Sequence, residues 1–260
     1  MFGFGTNKNN VIIRISVKGK HRRYSIPKVK AARISAIIAI LFALVLALTF
    51  WSVGDRRPSF PEPTGEPAGL GLPYFITDEM MKALFETQEE YGIPVSTGIA
   101  MIIAEGGFGM YGPGGEDGQG LSLLSYQYNN LFGIKYWSGL TYATGSVSLT
   151  TWEQEEGGDI YHYDSNFAVF ASYRDVIFQR AWMLHRSPYI EHVGQYLNQN
   201  DGNYTIEQAN AFMYGIRAGG WATDLAYVEK NISHMEFFDL YRFDNMDYGD
   251  FLELREAERQ

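Results

Sequence analysis

An uncharged apolar run near the N-terminus constrains this chain more than any other feature. Residues 34–54 read ISAIIAILFALVLALTFWSVG and contain no Asp, Glu, Lys or Arg. At about 1.5 Å per residue, a helix of this length crosses the roughly 30 Å hydrocarbon core of a bilayer. We therefore predict one transmembrane helix over 34–54. A cleaved signal peptide is the alternative, but the run exceeds the usual apolar length of about 7–15 residues and no clear cleavage site follows it.

Charge is distributed unevenly on the two sides of this run. Residues 1–33 hold nine Lys and Arg and no Asp or Glu, which leaves 12 basic against 30 acidic residues for the rest. Because basic flanks stay in the cytoplasm, we predict a cytoplasmic arm, a single-pass anchor in the cell membrane and an extracellular body. The alternating sequence IIRISV allows a short strand or hairpin in an arm that we otherwise expect to be solvated and attracted to anionic lipid. The acidic body argues against nucleic acid as a partner.

The remainder of the chain divides into three segments by composition. Residues 55–73 contain five prolines and three glycines, which predicts an extended stalk that does not pack into a core. Residues 74–247 form the predicted folded domain, and residues 248–260 are a charged tail that we expect to be frayed or a solvated helix. Cysteine is absent and the histidines lack metal-ligand spacing. We therefore predict no metal and no cofactor.

The apolar periodicity of the body predicts a mainly helical domain with one β-hairpin. A first helix is predicted over 78–91, with Thr77 as N-cap and Gly92 just past its end. A second is predicted from about Pro94 to Glu105. Two extended runs around a Glu-Gly-Gly turn predict a hairpin within 147–170. Further helices are predicted over 172–184, 190–199, 206–217 and 225–241, the last with Asp224 as its N-cap.

Glu105 is the strongest catalytic candidate in the body. It lies at the end of the predicted second helix, directly before Gly106 and Gly107. The negative end of the helix dipole and a neighbouring buried face both disfavour a charged carboxylate, so the pKa of Glu105 should be raised. General acid catalysis requires such a protonated carboxyl group. The local sequence alone is equally consistent with a water-exposed glutamate at a helix end.

Four motifs in the body resemble, in their order along the chain, the glucosaminidase family of bacterial cell-wall hydrolases. They are AEGGFG at 104–109, NNLFGIK at 129–135, TWE at 151–153 and GGWATDLAYVEK at 219–230. Members of that family cleave the β-1,4 bond after N-acetylglucosamine in peptidoglycan and have a lysozyme-like α+β fold. The resemblance implies a mainly helical lysozyme-like domain with a small β-hairpin, here preceded by one transmembrane helix. It also implies an endo-beta-N-acetylglucosaminidase that acts on peptidoglycan glycan strands without a cofactor.

The same resemblance implies roles for two carboxylates. The family's general acid corresponds to Glu105, and its second acidic residue, on the hairpin, corresponds to Glu153. Glycoside hydrolysis commonly uses two such groups, one to protonate the leaving oxygen and one to stabilise or activate the attack. Glu155 and Glu156 remain alternatives for the second role because a slip in strand register would exchange them.

Five further residues are candidates for substrate contact, and each has a structural alternative. Asn130 either caps the backbone or touches the sugar, whereas Phe132 shapes the groove floor. Trp221 replaces the family's groove tyrosine, so it can stack on a sugar but offers no phenol oxygen. Tyr227 either lies beside the groove or packs in the core. Phe108, like Tyr111, Tyr136 and Trp137, is a candidate for sugar stacking or for core packing.

Two other functions fit the same sequence. A lytic transglycosylase also needs one principal glutamate on a lysozyme-like fold, and it would leave 1,6-anhydro-muramic ends. A non-catalytic wall-binding or assembly module is the third reading. Two departures from the family pattern keep this reading open: Trp221 replaces the groove tyrosine, and Ala168 stands where the family often has arginine.

Overall fold

The computed structural model describes three strands within residues 2–27 and the stretches 65–154, 160–197 and 204–260, with backbone only in residues 2–27, 152–154 and 160–161. The predicted transmembrane helix and most of the predicted stalk lie outside the described residues. Among the helices that are described, none has the length and apolar character needed to cross a bilayer. The chain divides into two units, Met1–Phe60 and Pro61–Gln260, which are treated separately below.

The N-terminal unit contains a three-stranded antiparallel sheet. Strands β1 (Phe2–Thr6), β2 (Asn10–Val17) and β3 (Lys20–Pro27) follow one another in space as in sequence, with β2 in the centre. The alternating IIRISV segment forms most of β2, so the predicted strand is confirmed. The arm therefore has more regular structure than the solvated segment we expected.

The first helix of the C-terminal unit, α1 (Asp78–Tyr91), has the predicted bounds. Its N-cap Thr77 accepts a hydrogen bond from the Met80 backbone N–H, and its C-cap Gly92 has a left-handed φ of 63°. Both caps use local chemistry that the sequence displays, because a threonine oxygen satisfies a free N–H and glycine adopts positive φ without strain. The helix buries one face that includes Met80, Met81, Leu84 and Phe85.

The second helix ends earlier than predicted. Helix α2 (Val95–Met101) is entirely buried, and the chain then widens into a π-helical turn over Ile102–Gly106. Glu105 therefore lies in a π-helical turn instead of the last turn of an α-helix. Such wide turns are found mostly as single insertions in helices, often at functional sites. The turn brings Gly106 against Leu131 and Ser125, where an added Cβ would lie 2.5 Å from the Ser125 hydroxyl oxygen.

The glycine-rich segment after Glu105 contains regular structure that the sequence did not predict. Strands β4 (Gly107–Gly109) and β5 (Gly120–Leu121) pair antiparallel, and helix α3 (Leu123–Tyr128) follows. An added Cβ at Gly109 would lie 2.1 Å from the Leu121 carbonyl oxygen. The close approach of the two backbones therefore requires glycine at this position.

The predicted hairpin is confirmed and is longer than expected. Strands β6 (Ala143–Gln154) and β7 (Ile160–Phe170) pair antiparallel, with Thr151 opposite Tyr163. The NNLFGIK segment lies along the other edge of β7, because Ala168 donates to the Ile134 carbonyl oxygen and Tyr136 donates to that of Asn166.

The four helices predicted after the hairpin are present and differ from prediction chiefly in their ends. They are α4 (Tyr173–Leu184), α5 (Ile190–Val193), α6 (Ile206–Ala218) and α7 (Tyr227–Phe237). Helix α5 is a single turn, continued by a 3₁₀ turn over Gly194–Tyr196. Helix α7 starts two residues later than predicted and Asp224 is not its N-cap. The Asp224 carboxylate accepts instead from the Ala226 N–H at 2.9 Å, within the turn that precedes the helix.

The predicted tail and the end of the predicted stalk both pack on the folded body, contrary to expectation. Helix α8 (Tyr248–Glu258) follows a 3₁₀ turn over Leu240–Phe243 and buries Phe251 completely. Its Glu258 carboxylate accepts from the Leu70 N–H at 2.7 Å, and Leu70 is itself buried. Leu70 and Phe251 belong to the same hydrophobic core, and burial of such apolar side chains offsets the entropy lost when the two segments become ordered.

The described body is therefore a mainly helical α+β structure with small antiparallel sheets, as predicted. One hydrophobic core joins the buried faces of α1, α2, α4, α6 and α7 with residues from the hairpin and α8. The π-helical turn, the hairpin and the start of α7 all contribute residues to the site described next.

Candidate active site

A cleft with a volume of about 610 Å³ opens beside the π-helical turn. Most of its lining comes from four places in the sequence: the turn itself, the NNLFGIK segment, the hairpin and the stretch that leads into and begins α7. Residues from all four motifs line it, and they include Glu105, Phe132, Gly133, Lys135, Thr151, Trp221, Asp224, Tyr227 and Lys230. A concave site with converging polar groups of this kind is the usual location of an active site.

The Glu105 side chain opens into this cleft, where it is accessible to water and yet surrounded by protein on most sides. The pKa of Glu105 is raised from 4.5 to about 7; burial is the main cause, and the Asp224 charge acts in the same direction. The Tyr227 hydroxyl and the Lys230 ammonium act in the opposite direction. A carboxyl group of this kind is partly protonated at neutral pH, so it can donate a proton and later accept one.

Gly133 provides space beside the acid. Its φ is 63°, and an added Cβ would lie 3.5 Å from the Glu105 Oε2 atom. Glycine adopts this left-handed conformation without the steric cost that a side chain brings. Gly133 of the NNLFGIK motif therefore lies directly beside the Glu105 carboxyl group.

Tyr227 lies at the site and is also buried, which combines the two alternatives that the sequence left open. It lines the cleft, its side chain is 5% exposed and its hydroxyl interacts with the Glu105 carboxylate. Within the described residues this hydroxyl has no hydrogen bond of ordinary geometry. Burial and then the Glu105 charge raise the pKa of Tyr227 well above 10, so the phenol keeps its proton beside the acid.

Asp224 and Lys230 form an ion pair on the same wall. The Lys230 Nζ atom lies 2.6 Å from the Asp224 Oδ2 atom. Burial acts to raise the pKa of Asp224, but the Lys230 and Ala226 hydrogen bonds outweigh it and lower the pKa overall. The sequence predicted only a helix cap at Asp224 and no role for Lys230. The sequence feature that could have pointed to them is that both belong to the same motif as Trp221 and Tyr227.

Asn130 is not a substrate contact in this structure. It is 1% exposed and does not line the cleft. Its Nδ2 atom donates to the carbonyl oxygens of Ile134 and Ala168, and its Oδ1 atom accepts from the Ile134 N–H, each at 2.9 Å. The amide thereby fixes the NNLFGIK turn to strand β7, which corrects the predicted sugar contact in favour of the structural alternative.

Phe132 and Trp221 meet at the cleft. Their ring centroids are 6.5 Å apart and the rings are nearly perpendicular, at 84°. Phe132 is buried beneath, whereas Trp221 is partly exposed and also contacts Tyr189. The indole of Trp221 is therefore exposed to the cleft and kept in place by its contacts, with Phe132 packing against it from the core.

The other aromatic candidates are divided between the cleft and more distant places. Trp137 lines the cleft and is exposed. Phe108 is exposed but does not line the cleft, because its positive φ of 54° sets its ring edge-on against Phe75. The predicted sugar contact at Phe108 is therefore not supported in this cleft. Tyr111 lines a separate cavity of about 270 Å³.

Glu153 lies in strand β6, with its backbone opposite Tyr161. It is two residues beyond Thr151, which lines the cleft. The alternatives Glu155 and Glu156 lie outside the described residues. Among the residues that are described, no group of three or more His, Asp or Glu could hold a metal ion.

Three solved structures show the kind of protein that this chain is similar to. The catalytic domain of the autolysin Auto from Listeria monocytogenes is 22% identical, with 64% of this chain and 84% of that chain covered and a TM-score of 0.47. A peptidoglycan hydrolase mutant from Sphingomonas sp. A1 is 23% identical, with 64% and 94% covered and a TM-score of 0.47. A glycoside hydrolase domain of FlgJ from Salmonella typhimurium is 21% identical, with 62% and 94% covered and a TM-score of 0.40.

At the level of sequence, the search of curated proteins found no match. The comparison with protein families did find one. Residues 81–240 match the glucosaminidase model, which is described as mannosyl-glycoprotein endo-beta-N-acetylglucosaminidase. The matched range contains all four motifs and every residue named above as a part of the cleft.

Proposed function

Since the chain belongs to the glucosaminidase family, we propose that it is a peptidoglycan hydrolase in which Glu105 is the general acid. The bond cleaved is the β-1,4 bond after N-acetylglucosamine. One observation carries the proposal: the carboxyl group of Glu105 faces a cleft of about 610 Å³ and has a pKa raised to about 7 by burial. A general acid works best when its pKa lies near the working pH.

In the proposed reaction, Glu105 gives its proton to the glycosidic oxygen as the bond to the anomeric carbon breaks. Charge then develops on the sugar ring, as in other glycoside hydrolases, and Glu105 becomes a carboxylate. The Tyr227 hydroxyl and the Lys230 ammonium both favour that charged form. They stabilise the acid after it has donated its proton, while burial and Asp224 keep it protonated beforehand.

The second half of the reaction needs a group that stabilises the sugar or activates water. We assign this role to Glu153 or to the 2-acetamido group of the substrate itself. Residues two apart in a strand share one face, so the position of Thr151 in the cleft wall supports Glu153. Trp221 is the proposed stacking surface for a sugar ring, because its indole is partly exposed and supported by Phe132.

Digestion of purified sacculi tests the assignment when the products are identified by mass spectrometry. The proposal predicts fragments with reducing N-acetylglucosamine ends from the wild-type chain. The Glu105→Gln variant should lose activity by a factor of at least about 100, the scale expected for removal of a general acid. The matched control is Glu89→Gln, an exposed residue of α1 that does not line the cleft, and it should retain full activity.

The same digestion distinguishes the two other readings. Products with 1,6-anhydro-muramic ends would identify a lytic transglycosylase. Binding to sacculi without release of any fragment would identify a wall-binding module. Near-normal cleavage by Glu105→Gln would refute the role of this residue whatever the products are.

We further propose that residues 34–54 anchor the chain in the cell membrane, with residues 1–33 in the cytoplasm and the body outside. The support is the uncharged apolar sequence and the concentration of basic residues before it. Membrane fractionation of the full chain tests the anchor, with a variant that carries three lysines within 34–54 as control. Protease added to intact cells should remove the body, and protection of the body would contradict the orientation.

A further inference from the structure

A second exposed indole lines the cleft in addition to Trp221. Trp137 lies in the loop of residues 136–142 and is 48% exposed at the cleft wall. Its ring partner is Trp182 of α4, with the ring centroids 6.1 Å apart and the planes inclined at 41°. Trp221 has different ring partners. The cleft therefore contains two aromatic surfaces built from different residues, and the proposed reaction uses only one of them.

The loop that carries Trp137 is attached to the body at both of its ends. At its start, the Tyr136 N–H donates to the Asn166 carbonyl oxygen of β7 at 2.8 Å. At its end, the Gln179 Oε1 atom of α4 accepts from the backbone N–H groups of residues 141–142, each at 2.9 Å. These attachments limit the positions that the loop can take. The aromatic surface is therefore largely formed before any ligand binds, which lowers the entropy cost of binding.

Gly139 provides the space that the indole occupies. A Cβ added at Gly139 would lie 1.7 Å from the Trp137 Cζ3 atom, which is far closer than two carbon atoms can approach. Gly139 does not have a positive φ, so space and not backbone conformation requires glycine here. Any side chain at this position would push the indole out of its place.

A cation lies beside this surface. The Arg186 guanidinium lies 3.6 Å from the centroid of the Trp182 ring, and one of its terminal nitrogens donates to the Trp182 carbonyl oxygen at 2.9 Å. Arg186 is exposed, and it follows Met183 and precedes Tyr189, which both line the cleft. Because Trp137 and Arg186 contact the same ring, the exposed indole and the cation are near neighbours beside the cleft.

The Arg186 guanidinium pairs with no carboxylate in the part of the chain that the structure describes. Arg174, on α4, differs in this respect. It also stacks on an aromatic ring, 3.9 Å from the centroid of Phe178, but its Nε atom donates to the Glu86 carboxylate at 2.9 Å. A guanidinium that is held by stacking and by a backbone carbonyl, and that lacks an acidic partner, is prepared to bind a carboxylate from a ligand.

From these contacts we propose that Trp137 and Arg186 form a subsite for a muramic acid unit of the glycan strand. The sugar ring stacks on the exposed indole, and a carboxylate of the attached peptide stem pairs with the guanidinium. The inference rests on the proposed function, which supplies peptidoglycan as the ligand. Peptidoglycan fits the two surfaces because one strand carries both pyranose rings and acidic peptide stems. The subsite gives the cleft a preference for strands that keep their stems.

Binding to the inactive full chain tests the subsite without turnover. In a Glu105→Gln background kept in detergent, calorimetry measures the affinity for two probes. One is soluble glycan strands with their peptide stems, and the other is a neutral hexamer of β-1,4-linked N-acetylglucosamine. Trp137→Ala should weaken the binding of both probes by about tenfold, because both stack a sugar ring on the indole. Trp137→Phe keeps an aromatic ring and should retain most of the affinity.

Arg186→Gln should weaken the binding of the stem-bearing strands alone. The expected loss is about three- to fivefold, the scale of a solvent-exposed charge pair, and it should shrink as salt is added. Arg174→Gln is the matched control, since its guanidinium already has a carboxylate partner and does not line the cleft. It should bind both probes as the parent does. An equal loss for both probes in Arg186→Gln, or no loss for the stem-bearing strands, overturns the inference.

Gly139→Ala tests the same surface with the indole and the cation still present. The added methyl group displaces the indole, so the affinity for both probes should fall nearly as far as in Trp137→Ala. Phe237→Ala, at an aromatic residue that is 81% exposed outside the cleft, should bind both probes unchanged. Parental affinity in both Trp137→Ala and Gly139→Ala overturns the inference.

Failure of the proposed function gives a different result from failure of the subsite. If the proposed function is wrong, the wild-type chain releases no fragments from sacculi. If only the subsite is wrong, the wild-type chain still cleaves sacculi, and the substitutions at Trp137, Gly139 and Arg186 leave the two affinities unchanged.

Discussion

The Lys230 ammonium lies 2.6 Å from the Asp224 carboxylate on the wall of the cleft that contains Glu105. The two members of this ion pair act on Glu105 in opposite directions, since Asp224 raises its pKa and Lys230 lowers it. A single substitution in this pair can therefore raise or lower the pKa of Glu105 while Glu105 itself is unchanged.

Opposite shifts are expected when the two members of the pair are replaced one at a time. Asp224→Asn removes the negative charge and leaves Lys230, so the pKa of Glu105 falls and the basic limb of the pH–rate profile moves to lower pH. Lys230→Gln leaves Asp224 and should move the limb to higher pH. Each shift should be on the order of one unit or less, because the cleft is open to solvent. Shifts of the same sign in both variants would contradict this account.

Gly133→Ala should reduce both stability and activity. The left-handed φ of 63° costs a residue with a Cβ about 1–2 kcal/mol, and the new methyl group would lie 3.5 Å from the Glu105 Oε2 atom. Thermal unfolding and kcat measure the two effects. Gly145→Ala is the control, since that position has no positive φ and no atom within 4 Å of an added Cβ. Equal behaviour of the two variants would show that space beside the acid is unimportant.

Asp244 should make the protein less stable as pH rises. It is 1% exposed, and it accepts from the Ser96 N–H and hydroxyl, each at 2.7 Å. Burial raises its pKa from 3.8 to about 7 despite these hydrogen bonds. Because the folded-state pKa is the higher one, its contribution to stability is full below pH 4 and is lost as pH rises through about 7.

Asp244→Asn should remove most of that dependence, because an amide imitates the protonated acid. Urea unfolding of the full chain at about pH 5 and pH 8 measures the free energy of unfolding in both forms. We expect the wild-type chain to lose on the order of 2 kcal/mol more than the variant between these two values. Parallel losses would contradict the assignment of the pH dependence to Asp244.

Helix α8 should contribute strongly to the stability of the body. Phe251→Ala removes a completely buried ring that packs against Phe85 and Phe243, and it should cost about 3–5 kcal/mol. Leu254→Ala, at an exposed position of the same helix, should cost less than about 1 kcal/mol. Thermal unfolding of both variants checks this. A small effect of Phe251→Ala would restore the sequence-based view of a solvated tail.

The amino-acid sequence by itself determined the features that depend on neighbours along the chain. The bounds of α1 follow from Thr77 and Gly92, and the hairpin follows from two extended runs around a glycine turn. The order of the four motifs predicted the family, and the position of Glu105 at the end of a predicted helix, next to a buried face, predicted a carboxyl group with a raised pKa. Apart from the order of the motifs, each of these signals lies within a short window, where capping and turn chemistry act directly on the backbone.

Only the tertiary structure decided what depends on residues far apart in sequence. Asn130 is a structural residue because its amide meets the backbone of Ala168 on the hairpin, and Phe251 is a core residue because α8 returns to α1. Arg180 is a buried residue because α4 packs next to α2, where its guanidinium meets Thr97 and Met101. These groups become buried or paired only when distant segments of the chain pack together. The local pattern of apolar and polar residues does not encode which segments meet, so it cannot predict the pKa shifts and packing that result.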